Sequence, residues 1–523
     1  MVFFNLRGSA LSVAQIGLIV APCFILFGYN QAGIGGLLSI KLPDWTNTFP
    51  EIDTIHTTGA RKSQNAVFQG LVVASFVIGA ITACMACMFL GDILGRRKSI
   101  FIGGLLSLAG EVICSTSNTL GQFVSGRTII GAAIGIFSST VPVWQAECSP
   151  PEHRGKHVVL DGLFTTLGYA LTSWANYGSS RIHMTDQSIS WRLPLALPNL
   201  FSIIVLLFIF FLPESPRWLI KVGRYQEATE IMSKLKDLPI DSSEIINEVN
   251  EMRSALDESV TQKATLKDMF TMGPDKLFFR FCLCILLQFY QQMSGANLIS
   301  VYGTVIFEQS LDIQSQKAKL LTGGALTWKF FSSFLAFFTI DRFGRRALFM
   351  FSGSGMGICM FILSITTAFE KDDSNLAAAY ISVISIFLYN FFVPIGFLGA
   401  NFLYCVEVAP VSLRVGMSAI STANHWLWNF IVIMVTPIAI DRIGHWYFDI
   451  YAAIALSIPI VVWLEFPETM GLSLEEIEML FRNSSKIRTV VKKSLQFKRK
   501  GDGFEDNVKD SNENTVDKQL NCE

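Results

Sequence analysis

The chain has 523 residues, 51% of them apolar and 16% charged, and a formal net charge of −1. Mean hydropathy is +0.44. This balance excludes a water-soluble globular protein of ordinary composition and leaves no basic footprint for a nucleic acid.

Apolar windows of about 20 residues cross a bilayer as helices. Twelve are present, near 13–38, 66–90, 99–117, 121–146, 157–177, 192–212, 277–307, 320–340, 347–369, 377–406, 415–440 and 447–466. The first run is too long for a cleavable signal and reads as an anchor helix. Cys84 and Cys87 share a helix face in the second window; with no second pair or histidine beside them they read as packing, not metal ligands. Basic text at "GRRK" (95–98), "PEHRGK" (151–156) and "DRFGRR" (341–346) falls on one side, which the positive-inside rule makes cytoplasmic. Both termini then lie on that side. Between windows six and seven, "SSEIINEVNEMRSALDE" has a serine cap, with Ile245, Val249, Met252 and Leu256 at helical spacing. Beyond about 485 the text is rich in Lys, Asp and Asn and is expected to be disordered. The division read from this is an N-terminal half (1–212), a cytoplasmic linker with short helices (213–276), a C-terminal half (277–484) and a disordered tail (485–523).

The chain repeats itself. "GDILGRR" (91–97) recurs as "DRFGRR" (341–346), with Gly95 and Gly344 249 residues apart. Glu147, Pro150 and Arg154 recur 260 residues later as Glu407, Pro410 and Arg414. Pro213-Glu214-Ser215 recurs as Pro467-Glu468-Thr469, 254 residues on. Three motifs in one order at nearly one offset imply an all-α membrane protein of twelve transmembrane helices in two pseudo-symmetric six-helix halves. Parallel repeats of this kind belong to transporters that rock one half against the other. The first helix of each half carries a glycine-interrupted polar patch, "GYNQAGIGG" (28–36) and "QQMSGANLISVYG" (291–303). Glycines alone suit close packing. Asn30, Gln31, Gln291, Gln292 and Asn297 are amides in hydrocarbon that need partners, and amides offer the donors and acceptors a polyhydroxy ligand requires. No nucleophile–base pair, metal cluster or phosphate loop supports an enzyme, and no cofactor is implied.

Together and in order, "GRTIIG" (126–131), "PVWQAECSPPEHRG" (142–155), "PESPRWL" (213–219), "QQMSGAN" (291–297), "DRFGRR" (341–346) and "PETMGLSLEEI" (467–477) resemble the sugar porter family of the major facilitator superfamily, fungal members especially. The resemblance covers about residues 5 to 480. It implies the major facilitator fold and a central monosaccharide site. Gln291, Gln292 and Asn297 match the main sugar contacts, with Tyr302 just beyond. Phe402 stands where many relatives carry Trp beside the sugar, and Asn429 keeps a second family amide. Implied partners are a small sugar, the lipid bilayer and, as candidate co-substrate, protons; no nucleic acid is implied, a monomer is expected, and the plasma membrane is the expected location. Asp92, Arg96, Arg97, Glu147, Arg154 and Glu214, repeated as Asp341, Arg345, Glu407, Arg414 and Glu468, are expected to form ion pairs that latch the two halves together in the outward-open state.

Four positions depart from the pattern. Asn30 replaces the Asp of proton-coupled members, which favours uniport and leaves Arg127 without its acid. Lys329 stands where relatives have Asn facing the sugar. Gly162, preceded by Asp161, replaces a sugar-binding Gln. His425 stands in place of Asn, just before Trp426. A charge near the middle of a membrane helix is costly without a partner. The expectation is that Asp161 and Lys329 pair across the seam between halves. Two alternatives stay open: Lys329 or His425 receives the carboxylate of a sugar acid, or Asp161, His425 or Glu111 titrates and restores proton coupling. Glu111 is otherwise placed toward lipid headgroups or Arg127. A disaccharide substrate, and a non-transporting sugar receptor on the same fold, are carried as further alternatives.

Overall fold

The computed structural model describes residues 6–38, 43–54, 56–149, 154–182, 188–261, 266–311, 313–369, 376–410, 413–472, 474–484 and 487–499. Among them there is no β-strand. Twelve long helical segments follow one another: α1 (Gly8–Gly36), α2 (Gly59–Leu94), α3 (Arg96–Ser115), α4 (Leu120–Glu147), α5 (Arg154–Ser179), α6 (Ile189–Phe211), α7 (Leu277–Met293 and Ala296–Val305), α8 (Ser315–Phe343), α9 (Arg345–Phe369), α10 (Leu376–Phe397 and Ala400–Val408), α11 (Arg414–Ile443) and α12 (Trp446–Glu465). Nine are long and apolar enough to cross a membrane on length and composition alone. Of the three that fall short, α5 bears Asp161, α7 is broken, and α8 holds Lys329.

The helical form follows from the solvent. In hydrocarbon each backbone N–H and C=O must be answered inside its own segment, and a helix does this without a neighbour. Leu200, Leu207, Phe338, Ile384 and Ile460 are all more than half exposed and form the lipid-facing surface. Association between helices then depends on close packing through small residues. A Cβ added at Gly28 would lie 1.9 Å from the Thr165 carbonyl oxygen, so α1 and α5 touch backbone to backbone.

Among the described residues the halves are joined by α1 with α7, by α2 with α11, and by α5 with α8 and with the second segment of α10. At the end of α1 far from the N-terminus, a Cβ on Gly35 would lie 1.7 Å from the Val301 carbonyl oxygen of α7. Lys62 of α2 donates to Asp441 of α11 at 2.5 Å. Along the α5–α8 seam, Trp174 Nε1 donates to Thr327 Oγ1 at 2.8 Å, and the hydroxyls of Thr166 and Ser333 share a hydrogen bond of 3.2 Å.

Between α6 and α7 lie helices Pro216–Lys221, Tyr225–Lys236 and Ser243–Thr261. The last is capped by Ser242, whose Oγ accepts from Ile245 N at 3.4 Å, and it buries Ile245 and Val249. Leu256 lies outside the described side chains. The tail differs from the expected disorder: Ile487–Arg499 is an amphipathic helix. It buries Val490, Val491 and Ser494, and Ser494 Oγ accepts from Glu468 N at 3.0 Å. The lysines that made this stretch read as disordered share a helix with a narrow apolar stripe that docks on the C-terminal half. Residues 500–523 lie outside the described residues.

Overpacking a tight site costs about 1–3 kcal/mol. Gly35→Val is therefore expected to lower the melting midpoint of the detergent-solubilised protein, while Gly121→Ala, with nothing within 4 Å of an added Cβ, leaves it unchanged. Equal behaviour of the two variants would show that the α1–α7 contact is no packing constraint.

Candidate functional site

The repeated motifs build the same scaffold at corresponding ends of the two halves. Gly95 and Gly344 turn the chain between α2 and α3 and between α8 and α9, with φ of 81° and 91°. Those angles suit glycine alone, and a Cβ at Gly344 would lie 2.5 Å from Glu468 Oε2. The sharp turn exposes the first N–H groups of α3 and α9. Glu214 accepts from Arg96 N and Arg97 N at 3.2 Å, and Glu468 accepts from Arg345 N at 3.1 Å and Arg346 N at 3.2 Å. Each carboxylate thus caps a helix N-terminus, where the dipole favours negative charge. The arginine side chains then divide the work. Arg96 grips Glu147 of α4 with two hydrogen bonds of 3.0 and 3.1 Å, and Arg345 reaches Glu407 of α10 at 3.1 Å. Arg97 donates to the Phe210 carbonyl at the end of α6, and Arg346 to the Trp463 carbonyl at the end of α12, at 2.5 Å. Trp144 Nε1 and Tyr404 Oη, 260 residues apart, donate to the carbonyls of Pro213 and Pro467, each at 3.0 Å.

Every described pair among these charges joins helices of one half. The reason is local: each arginine follows a glycine turn directly, so its reach is limited to the helices packed beside that turn. The side chains of Asp92, Arg154, Asp341 and Arg414 lie outside the described residues.

The second feature is a polar cluster in the C-terminal half, made by two helix breaks. α7 is interrupted at Ser294 and Gly295, where Gly295 has φ of 97°. α10 is interrupted at Leu398 and Gly399. Breaks free carbonyls, and side chains answer them: Gln291 Nε2 donates to Phe397 O at 3.0 Å, and Tyr389 Oη to Ser294 O at 2.9 Å. Gln291 Oε1 accepts from Asn401 Nδ2 at 2.6 Å and from His425 Nδ1 at 2.8 Å. Gln292 Nε2 donates to His425 Nε2 at 3.0 Å, and its Oε1 accepts from Asn297 Nδ2 at 2.7 Å. These partners select the imidazole tautomer with the proton on Nδ1. The Phe402 ring lies 5.4 Å from the His425 ring.

Sequence reasoning missed two members, Gln288 and Asn401. Gln288 Oε1 accepts from Asn401 Nδ2 at 3.2 Å. Its signal was present, since 288 lies one turn before 291 and 292 on the same helix face. Asn401 had none beyond its place beside Phe402. Tyr302 Oη donates to Ile433 O at 2.9 Å and so ties α7 to α11. Asn429 is fully buried, and neither its Nδ2 nor its Oδ1 has a partner. An orphaned buried amide costs about 1–3 kcal/mol, so a ligand group that meets it gains that much.

The third feature is the seam. Lys329 does not pair with Asp161. Its Nζ donates to Ser300 Oγ of α7 at 2.7 Å and sits 5.0 Å from the centre of the Tyr169 ring of α5. Asp161 lies eight residues before Tyr169, about 12 Å down the helix. It is level with the part of α8 near Ser333 and Ala336, and its Oδ1 is unpartnered. Antiparallel register, which sequence spacing does not reveal, separates the two charges. Gly162 is a packing residue, with an added Cβ only 2.9 Å from Leu398 O of α10. Glu111 faces neither lipid headgroups nor the Arg127 guanidinium. It is fully enclosed among α1, α3 and α6, and Arg127 donates instead to the Asn30 carbonyl at 2.8 Å.

Two six-helix halves with a polar seam between them, and helix breaks at that seam, define a membrane transporter of the major facilitator class. The chain belongs to the "Sugar (and other) transporter" family, whose model matches residues 16–481. It is 31% identical over 463 residues to the sugar transporter STL1 of Saccharomyces cerevisiae, covering 88% of this chain and 79% of that one. It is 30% identical over 481 residues to the high-affinity glucose transporter ght2 of Schizosaccharomyces pombe, covering 91% and 88%. Among solved structures, the proton:xylose symporter XylE bound to 6-bromo-6-deoxy-D-glucose, a protein of E. coli, shares the fold with a TM-score of 0.75 and 24% identity, over 91% of this chain and 100% of that one.

Removing a helix-capping carboxylate leaves at least three N–H groups unanswered, at about 1–3 kcal/mol each. Glu214→Ala and Glu468→Ala are each expected to lower the melting midpoint by a similar amount; a loss in one half only would break the equivalence of the scaffolds. Asn429→Ala is expected to leave the midpoint unchanged or raise it, since it removes an orphan. A large fall would show that the amide has a structural partner.

Proposed function

We propose that this protein carries a monosaccharide across the plasma membrane by alternating access, as a monomer with both termini cytoplasmic. The observation that carries the reading is the cluster of Gln291, Gln292, Asn297 and His425 with the unpartnered Asn429, a set of neutral donors and acceptors suited to hydroxyl groups. Phe402 offers a ring face beside it. Relatives named as sugar and glucose transporters support the same substrate class. The paired Arg–Glu scaffolds stiffen one end of each half, so that each moves as a body when the seam opens. The closed α1–α7 contact at Gly35 and Val301 is the point that parts to admit substrate from the far side.

Lys329 favours one second reading. It is a buried lysine with no carboxylate in ion-pair range among the described residues, which suits the acid group of a sugar acid.

The test is uptake of labelled glucose, galactose, xylose and galacturonate into yeast lacking its own hexose carriers. A neutral sugar is expected to enter, and Asn429→Ala to raise its KM about tenfold, the effect of ~1.4 kcal/mol. Entry of galacturonate alone, lost in Lys329→Met, would replace the monosaccharide reading with the sugar-acid one. Entry of none would sink both.

A further inference from the structure

Glu111 is a charge-bearing group that the amide cluster does not use. Its carboxyl is fully buried. Oε1 accepts from Asn30 Nδ2 of α1 at 3.1 Å and from Ser107 Oγ at 2.9 Å; Oε2 accepts from Ser202 Oγ of α6 at 3.0 Å. All three donors are neutral. Among the described residues no Lys, Arg or His lies within ion-pair distance of it. The titratable groups facing it are Tyr29 on α1 and Cys114 on its own helix; α6 presents only the Ser202 hydroxyl. Arg127 of α4 stands one step further off. It donates Nη1 to the Asn30 carbonyl, lies 4.9 Å from the centre of the Phe76 ring, and has no partner at Nε.

Asn30 is therefore held twice, by the acid through its side chain and by the guanidinium through its backbone. From it a line of contacts runs to the seam. The next residue, Gln31, accepts from Tyr169 Oη at 2.8 Å. Tyr169 presents its ring to Lys329, and Lys329 donates to Ser300, one turn beyond Asn297 on α7.

We propose that Glu111 carries the proton of a proton-coupled transport cycle, with Asn30 passing its state along α1 to the seam. This rests on the transport reading above. The step is a proton transfer alone: an O–H bond forms when the proton arrives from water on one side and breaks when it leaves on the other. A proton on Oε1 turns that oxygen into a donor, which the Asn30 Nδ2 cannot accept. When that proton is directed at Asn30, the amide rotates to present Oδ1, and the rotation also breaks its bond to Leu26 O, now 3.1 Å. Protonation thus alters the hydrogen bonding of α1 next to the residue that contacts Tyr169. Proton coupling then needs no carboxylate at position 30.

The test uses the purified full chain in liposomes with a pH dye inside, an inward proton gradient, and labelled glucose, xylose and galacturonate as probes. Wild type is expected to concentrate at least one probe inside, acidify the lumen as it does so, and lose both with a protonophore. Glu111→Gln is expected to bring the inside-to-outside ratio to one and abolish the pH signal, while exchange of the same probe continues. Should exchange also fail, the double variant Asn30→Asp/Glu111→Gln, which swaps acid and amide across one hydrogen bond, is expected to restore accumulation; if it does not, Glu111 is structural and the proposal falls. Equilibration of a probe by wild type without a pH change leaves transport standing and overturns the proposal, as does accumulation by Glu111→Gln. No entry of any probe overturns the transport reading and the proposal with it.

Discussion

Hydrocarbon has no water to answer a polar group, and the rest of this structure depends on that constraint. At several helix ends and breaks a side chain stands in for solvent. Glu214 and Glu468 cap the starts of α3 and α9. Arg97 and Arg346 cap the ends of α6 and α12. Gln291 and Tyr389 answer the breaks in α10 and α7. The conspicuous motifs of the chain are these answers, and their recurrence at one offset reflects one scaffold used twice.

The polar groups that are not answered have a different meaning. Asn429 has neither amide atom satisfied, Asp161 has a free oxygen, and Arg127 has a free Nε. Glu111 is bonded yet has only neutral partners. A stable core rarely keeps such groups, because each costs about as much as a good hydrogen bond contributes. Glu111 and Arg127 both hold Asn30, and from it contacts run through Gln31 and Tyr169 to Lys329 and Ser300 at the seam. A solute or a proton moving through the seam would find its partners there.

Much of the fold was legible because hydropathy windows and internal repeats are local properties of the text. Twelve segments, the first-half and second-half motifs, and the serine-capped linker helix could all be read without coordinates. Part of the candidate site was legible too: Gln291, Gln292, Asn297 and His425 do come together. Gln288 went unread although it shares their helix face, and Asn401 carried no pattern that separates it from a packing residue. The tail helix Ile487–Arg499 was hidden by its lysines, which composition weighs and periodicity does not.

The chain by itself determined the membrane-spanning class, the duplication, and which residue types stand at each helix end, since these follow from burial energetics and from turns a few residues long. Tertiary structure alone decided who meets whom across helices. The Arg–Glu pairs close within halves because a side chain next to a glycine turn reaches only the helices beside it. Lys329 meets Ser300 and Tyr169, not Asp161, because the antiparallel register of α5 and α8 sets the depths at which their charges lie. Glu111 turns inward onto Asn30 because the rotation of α3 is set by its packing against α4 and α6. Register and rotation are relations between helices, and no single segment of sequence contains them.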